Sequence, residues 1–219
     1  MEGQRPLRAV RSWPEAAPDR GDTAAGVHEA ILLTVGALGY EKATVQEVVA
    51  RTGIGRDQFH RRFGSKDECF AQAYEAAADR LCEDLLEAGR TAPTWRLGFR
   101  AALTELLRFV AEQPLLAKAL LIEVRAARGR AWATHQQMVE RLIAAVDSAR
   151  SDPAALPSTS AMTAGFMVGA IEESIGLEIG AGRAAQVERL LPDLAHLVAL
   201  NYFGEEEAWL ELRSAGAAG

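Results

Sequence analysis

A chain of 219 residues, 49% hydrophobic and 25% charged, has the balance of a folded globular protein and the length for a small unit joined to a medium one, which excludes disorder. The net charge of −6 speaks against a wholesale polyanion binder, but the total hides an asymmetry. Residues 1–66 hold ten Lys and Arg against eight Asp and Glu, residues 67–219 hold fourteen against twenty-two, and 51–66 alone sets Arg51, Arg56, Arg61, Arg62 and Lys66 against Asp57. A local basic patch on an acidic body lets a DNA-binding face coexist with a surface that repels DNA elsewhere.

No apolar run approaches the ~18 residues needed to span a bilayer, and residues 1–22 lack the apolar core of a signal peptide. A cytoplasmic protein with no membrane partner is expected. Cys69 and Cys82 fall in one helical pattern, ~20 Å apart at ~1.5 Å per residue, beyond disulfide reach. His28, His60, His135 and His196 lie in four separate segments with no second ligand at metal spacing, so neither a metal nor a cofactor is expected.

In chain order, residues 1–22 carry Pro6, Pro14, Pro18 and scattered arginines without periodicity and read as a flexible arm. From Thr23 the apolar residues Val27, Ile31, Val35 and Leu38 recur at helical spacing, and Gly39 supplies the stop. Thr44-x-x-Glu47 is a capping box opening a short second helix with Val45, Val48 and Val49 on one face. Thr52-Gly53-Ile54-Gly55 reads as a tight turn, and Phe59 and Phe63, one turn apart, anchor a third helix ended by Gly64. Ser65-x-x-Glu68 then starts a long helix with Phe70, Tyr74, Ala77, Ala78, Leu81 and Leu85 on one face.

Further helices follow around Trp95–Val110 and Trp132–Val146, with an apolar segment Leu115–Val124 between them. The last two long ones run from about Thr159 to Ile179 and from the mid-180s to Phe203, where Pro192 marks a kink or restart. No segment alternates with period two between hairpin turns. The expectation is an all-α fold in four stretches: arm 1–22, head 23–66, helical body 67–213 and flexible tail 214–219.

Two short helices joined by a tight turn are what a helix-turn-helix needs to lay its second helix in the major groove. Gly53 stands where the turn needs a positive φ, Ala50 is small enough for the helices to approach, and Ile54, Phe59 and Phe63 can pack inward. That leaves Gly55, Arg56, Asp57, Gln58, His60, Arg61 and Arg62 facing outward. Arg56 and Gln58 are residue types suited to bidentate contacts with guanine and adenine edges. Thr44, His60 and Lys66 are placed to meet phosphates, Thr44 and Lys66 each at a helix N-terminus. The bland reading is a small helical bundle with a solvated charged face.

The stretches Gly39-Tyr40, Ala43 to Ala50, Thr52-Gly53-Ile54 and Phe63-Gly64-Ser65-Lys66-Asp67 resemble the TetR (TetR/AcrR) regulators. The segment after the third helix is the most specific part, since generic helix-turn-helix proteins lack it. The resemblance implies a three-helix DNA-binding head, a larger C-terminal ligand-binding and dimerisation domain, and release from operator DNA when a small molecule binds. Two departures stand out: His60 where the family usually has a phosphate-contacting tyrosine, and Gly55 where a serine or threonine often caps the reading helix. Glycine remains an acceptable cap.

The body offers less chemistry. Aromatic and Met residues at helical spacing fit a core as readily as a cavity. The residues to search for an apolar or aromatic ligand are Trp95, Phe99, Leu103, Leu106, Trp132, His135, Met138, Phe166 and Met167. His135 reads first as a surface histidine, and Glu172 with Glu173 as a solvated face or interface pair. A homodimer is expected through the last two long helices. Gly165 and Gly169 there allow close approach near Phe166, Ile171 and Ile175, opposite a stripe of Leu190, Leu194, Leu197 and Val198.

Two other classes compete. Gly180-Ala181-Gly182-Arg183-Ala184-Ala185 fits the loose dinucleotide pattern, but that pattern needs a preceding strand, and the residues before it are helical in pattern, so no enzyme is expected. A helical small-molecule-binding protein with weakened operator binding would follow from Gly55 and His60.

Overall fold

A computed structural model of the chain describes residues 23–216; the arm with Arg5, Arg8 and Arg11 lies outside the described residues. Those residues are helical throughout, with no strand among them. The head consists of α1 (Ala24–Leu38), α2 (Val45–Thr52) and α3 (Arg56–Phe63). Both predicted glycine stops hold: Gly39 has φ 87° and Gly64 φ 72°.

The long α4 (Lys66–Arg90) runs from the head into the body, where α5 (Trp95–Glu112) packs antiparallel along it. Their approach is set by glycine: a Cβ on Gly98 would stand 2.4 Å from the backbone oxygen of Gly89. The predicted face of α4, from Phe70 to Leu85, is buried. Its Ser65 N-cap accepts from Glu68 N–H at 3.1 Å, completing half of the expected box, while the Glu68 carboxylate goes to Gln72 and Arg130.

The apolar segment after Pro114 becomes α6 (Pro114–Lys118), a π-helical turn over Ala119–Glu123, and α7 (Val124–Ala127). This run wedges against the head. A Cβ on Gly36 would stand 2.0 Å from the Leu115 carbonyl oxygen, so only glycine permits α1 to lie on α6. The run ends at Arg128, whose φ of 53° lies in a region a side chain adopts at a cost. Next come α8 (Gly129–Asp147), α9 (Thr163–Gly180) and α10 (Leu191–Phe203), with Pro192 in the first turn of α10 after a 3-10 stretch over Ala184–Leu190.

One helix was invisible to periodicity. After Gly204 (φ 84°), α11 (Glu205–Gly216) folds back along α10. It is held by Glu211, 1% exposed, whose carboxylate bridges Arg96 and Arg100 of α5. The tail expected from 214 therefore begins inside this helix. The glycine-rich 180–185 stretch follows a helix rather than a strand, and its Arg183 is engaged by Glu178 at 2.8 Å.

Candidate DNA-reading helix and ligand cavity

The two short helices of the head obtain their geometry from local chemistry. Thr44 accepts from Glu47 N–H at 3.3 Å, and Glu47 Oε2 accepts from Thr44 N–H at 2.8 Å, the reciprocal box worth about 1 kcal/mol. The Thr44 hydroxyl donates its proton to the same carboxylate at 2.8 Å, so a phosphate there would have to displace Glu47. Gly53 is left-handed (φ 72°, ψ 0°) with open space around it, as the turn requires. Val48, Ile54, Phe59 and Phe63 are buried between the helices, with Phe59 and Phe63 rings 5.2 Å apart. Ala50 is exposed, contrary to expectation: Val48, two residues earlier, supplies the inward contact.

All of Gly55, Arg56, Asp57, Gln58, His60, Arg61 and Arg62 are exposed. The N-cap, Gly55, makes no side-chain cap bond, leaving the N–H groups that open α3 free of a capping side chain. His60 Nδ1 lies 3.0 Å from the Gly64 carbonyl oxygen, which orients the ring at the C-terminal end of α3. Lys66 differs from the free cation expected. Its ammonium donates to the Tyr40 carbonyl at 2.8 Å and sits 4.2 Å from the Tyr40 ring centroid.

Tyr40 is the junction between head and body. Its hydroxyl donates to Asp67 at 2.6 Å, its ring meets the Phe70 edge at 5.1 Å, and its N–H donates to Glu123 Oε2 at 2.9 Å. Glu123 closes the π-helical turn and also lies 3.5 Å from the Lys118 ammonium.

Residues 36–73 match the family model described as bacterial regulatory proteins, tetR family. Over those residues the head is similar to the DNA-binding segment of TetR-family regulators. The whole fold agrees. The fatty acid degradation regulator FadR from Bacillus halodurans superposes with TM-score 0.69 at 11% identity, covering 78% of this chain and 95% of that one. FadR from Bacillus subtilis, solved with stearoyl-CoA, gives 0.69 at 13%, with the same coverage. TylP from Streptomyces fradiae gives 0.59 at 17%, covering 86% of this chain and 95% of that one. No curated protein sequence matches. The matched stretch contains the helix-turn-helix of α2 and α3. No helix among the described residues is long and apolar enough to cross a membrane.

The body holds a cavity of ≈ 330 Å³ between α4, α5, α8 and α9. Of the nine residues expected around a ligand, Trp95, Phe99, Leu103 and Leu106 line it. All four sit on α5, where Trp95 and Phe99 stack with centroids 5.4 Å apart and planes 7° from parallel. Trp132, His135, Met138, Phe166 and Met167 do not line it. Phe166 is 65% exposed on the outer face of α9, Met167 packs half-buried on the core, and Trp132 stacks on His135 at 5.0 Å. The 3.6-residue period locates the apolar side of a helix without telling which neighbour, or whether any within the protomer, it will meet.

His135 corrects a second expectation, being 2% exposed rather than on the surface. Its Nδ1 pairs with the Tyr74 hydroxyl at 2.8 Å, and that hydroxyl also lies 3.2 Å from the Leu120 carbonyl of the π-helical turn. Its Nε2 faces Glu172 Oε1 at 3.6 Å. Burial, helped by the field of Arg125, holds the imidazole down to about 4, so it is neutral at physiological pH. Glu172 in turn lines the cavity, and burial pushes its carboxyl up. A line of polar contacts thus runs from the cavity wall through His135 and Tyr74 to the turn that touches Tyr40. Glu172, Leu142 and Val168 are among the lining residues that helical spacing does not single out; the Glu172-Glu173 pair in a mainly apolar α9 is the available signal for the first.

Proposed function

We propose that this chain is a cytoplasmic, homodimeric repressor that reads its operator with α3 and releases it when a small, mainly apolar or aromatic ligand enters the cavity. Residues 23–66 act as the head and 67–213 as the ligand-binding and dimerisation body. The observation that carries the reading is the exposed polar face of α3 built on buried Phe59 and Phe63. Arg56 and Gln58 serve as base readers. Gly55, Asp57, His60 and Arg61 complete the groove face, while Thr44 and Lys66 steer the flanking phosphates.

Dimerisation through α9 and α10 is supported by large apolar side chains left outside the protomer core: Met162, just before α9, is 65% exposed, Phe166 and Leu177 of α9 are 65% and 63% exposed, and Leu197 of α10 is 37% exposed. Gly165 and Gly169, between them, have open space above. Ile171, Ile175, Leu194 and Val198, expected at that interface, are buried inside the protomer instead. Phe166→Glu with Leu177→Glu should convert a sedimenting dimer to monomer; an unchanged dimer would place the interface elsewhere.

The test of the whole reading is binding to the promoter region beside the chain's own gene across a salt series. A steep negative slope with sequence preference is expected, because released counterions scale with phosphate contacts. A helical small-molecule-binding protein with weakened operator affinity is favoured by one observation, the engagement of Lys66 with Tyr40. Absence of binding at low salt, with ligand binding intact, would select that alternative.

A further inference from the structure

Four polar groups reach the wall of the cavity: Arg90, Trp95, Ser148 and Glu172. Three already have partners in the chain. Arg90 pairs with Glu87 at 2.6 Å at the exposed end of α4. Trp95 Nε1 donates to the Ser148 hydroxyl at 3.1 Å, and that hydroxyl donates to the Ala145 carbonyl at 2.7 Å.

Glu172 is different. Its carboxylate is 19% exposed, and among the described residues its ion-pair neighbour is His135 alone, at 3.6 Å. His135 cannot supply charge near neutral pH, because its imidazole is held down to about 4. Arg125, the nearest source of positive field, lies 4.0 Å from Glu173 rather than at ion-pair distance from Glu172. A carboxylate oxygen therefore stands at an apolar wall with a neutral imidazole 3.6 Å behind it and, among the described residues, no Lys or Arg at ion-pair distance. Such a group is costly to leave unpaired and repays a cation brought to it out of water.

We propose that the cavity takes a lipophilic cation, a compound with an aromatic or branched apolar body and one protonated nitrogen, which sets that nitrogen against Glu172. The inference rests on the reading of the cavity as the effector site and adds the charge of the effector. The apolar body packs on the stacked faces of Trp95 and Phe99 and between Leu103, Leu106 and Val168. The cation withdraws negative charge from the carboxylate that faces His135, so occupancy is felt along Tyr74 to the Leu120 carbonyl. A neutral ligand of the same shape fills the space without doing so, and a carboxylate meets like charge.

The test uses three probes of nearly one shape on the full chain at pH 7: 2-(1-naphthyl)ethylamine, 2-(1-naphthyl)ethanol and 3-(1-naphthyl)propanoate, each titrated by calorimetry. The amine should bind at least about tenfold tighter than the alcohol, and the carboxylate weakest. In Glu172→Gln the amine should lose about tenfold or more while the alcohol changes less than about threefold. Ala102→Trp, which fills the cavity from α5, should abolish binding of both. Equal affinity of amine and alcohol in the unmodified chain, or a preference that survives Glu172→Gln, overturns the cation while Ala102→Trp sensitivity leaves the cavity reading standing. Absence of binding by all three probes, or binding indifferent to Ala102→Trp, overturns both.

Discussion

Glu123, the last residue of the π-helical turn, accepts the backbone N–H of Tyr40 at 2.9 Å and so ties the body to the second residue after the first helix of the head. The same tyrosine holds Asp67 and Lys66 at the start of α4. Beside the packing of α1 on α6, head and body are thus joined at a residue whose backbone and side chain are both committed, and whatever shifts the π-helical turn acts on Tyr40 and through it on the start of α4.

Glu123→Ala should cost about 1–3 kcal/mol, because a half-buried backbone N–H loses a charged acceptor. It should also shrink the change in operator affinity that a ligand produces, while ligand affinity in the cavity stays within a few-fold. Denaturant titration and DNA binding with and without ligand check the two halves. A variant with undiminished ligand response would remove this contact from the coupling route.

Arg56→Ala should relax sequence preference at one base position by about 1–3 kcal/mol, with little change on unrelated DNA. Lys66→Ala should weaken all sequences alike and lower the salt slope by about one, and it should also reduce stability because the ammonium holds the Tyr40 carbonyl. Competition binding against single-base operator variants separates the roles; uniform loss in both would refute the division.

His135 makes stability depend on pH. Its imidazole titrates at about 4 in the fold and near 6.5 when unfolded, so between those values the unfolded chain binds the additional proton. The contribution is fully present above that window and is lost as pH falls through it, by roughly 3 kcal/mol at the acid end. Glu172 acts in the opposite sense: its carboxyl, pushed up by burial, takes a proton in the fold before it would in the unfolded chain, which returns part of the loss. Denaturation midpoints between pH 7 and 5 should fall more steeply for the native chain than for His135→Gln. Parallel profiles would contradict the assignment.

Glu211→Ala should cost about 2–4 kcal/mol and loosen α11, because Arg96 and Arg100, 22% and 23% exposed, lose the carboxylate between them. Hydrogen exchange should rise selectively over 205–213. A globally uniform change would mean that α11 does not open on its own.

Sequence reasoning reached the head because its determinants are local. Thr44 caps three residues away, Gly53 turns the chain where it stands, and the Phe63–Asp67 segment is contiguous. The body is determined by which helix meets which, and that is not local. Phe166 has the helical spacing of a core residue yet points outward, while Glu172 reads as a surface carboxylate and faces the cavity. The π-helical turn left no trace in the apolar run that contains it. The helix over Glu205–Gly216 is acidic at its start, packs on α10 through the buried Ala208 and is pinned to α5 by the Glu211 ion pairs, which hydrophobic spacing does not register.

The backbone contact between Gly89 and Gly98 has a consequence for how ligand preference can change. Both glycines border the cavity, and a methyl group on Gly98 would collide with main-chain oxygen. That corner is a wall of peptide groups that mutation cannot reshape gradually. Diversification of the cavity falls to its side chains, such as Leu142, Val168 and Glu172 across from that corner on α8 and α9, and a library directed there explores new ligands without disturbing the seam that keeps α4 and α5 together.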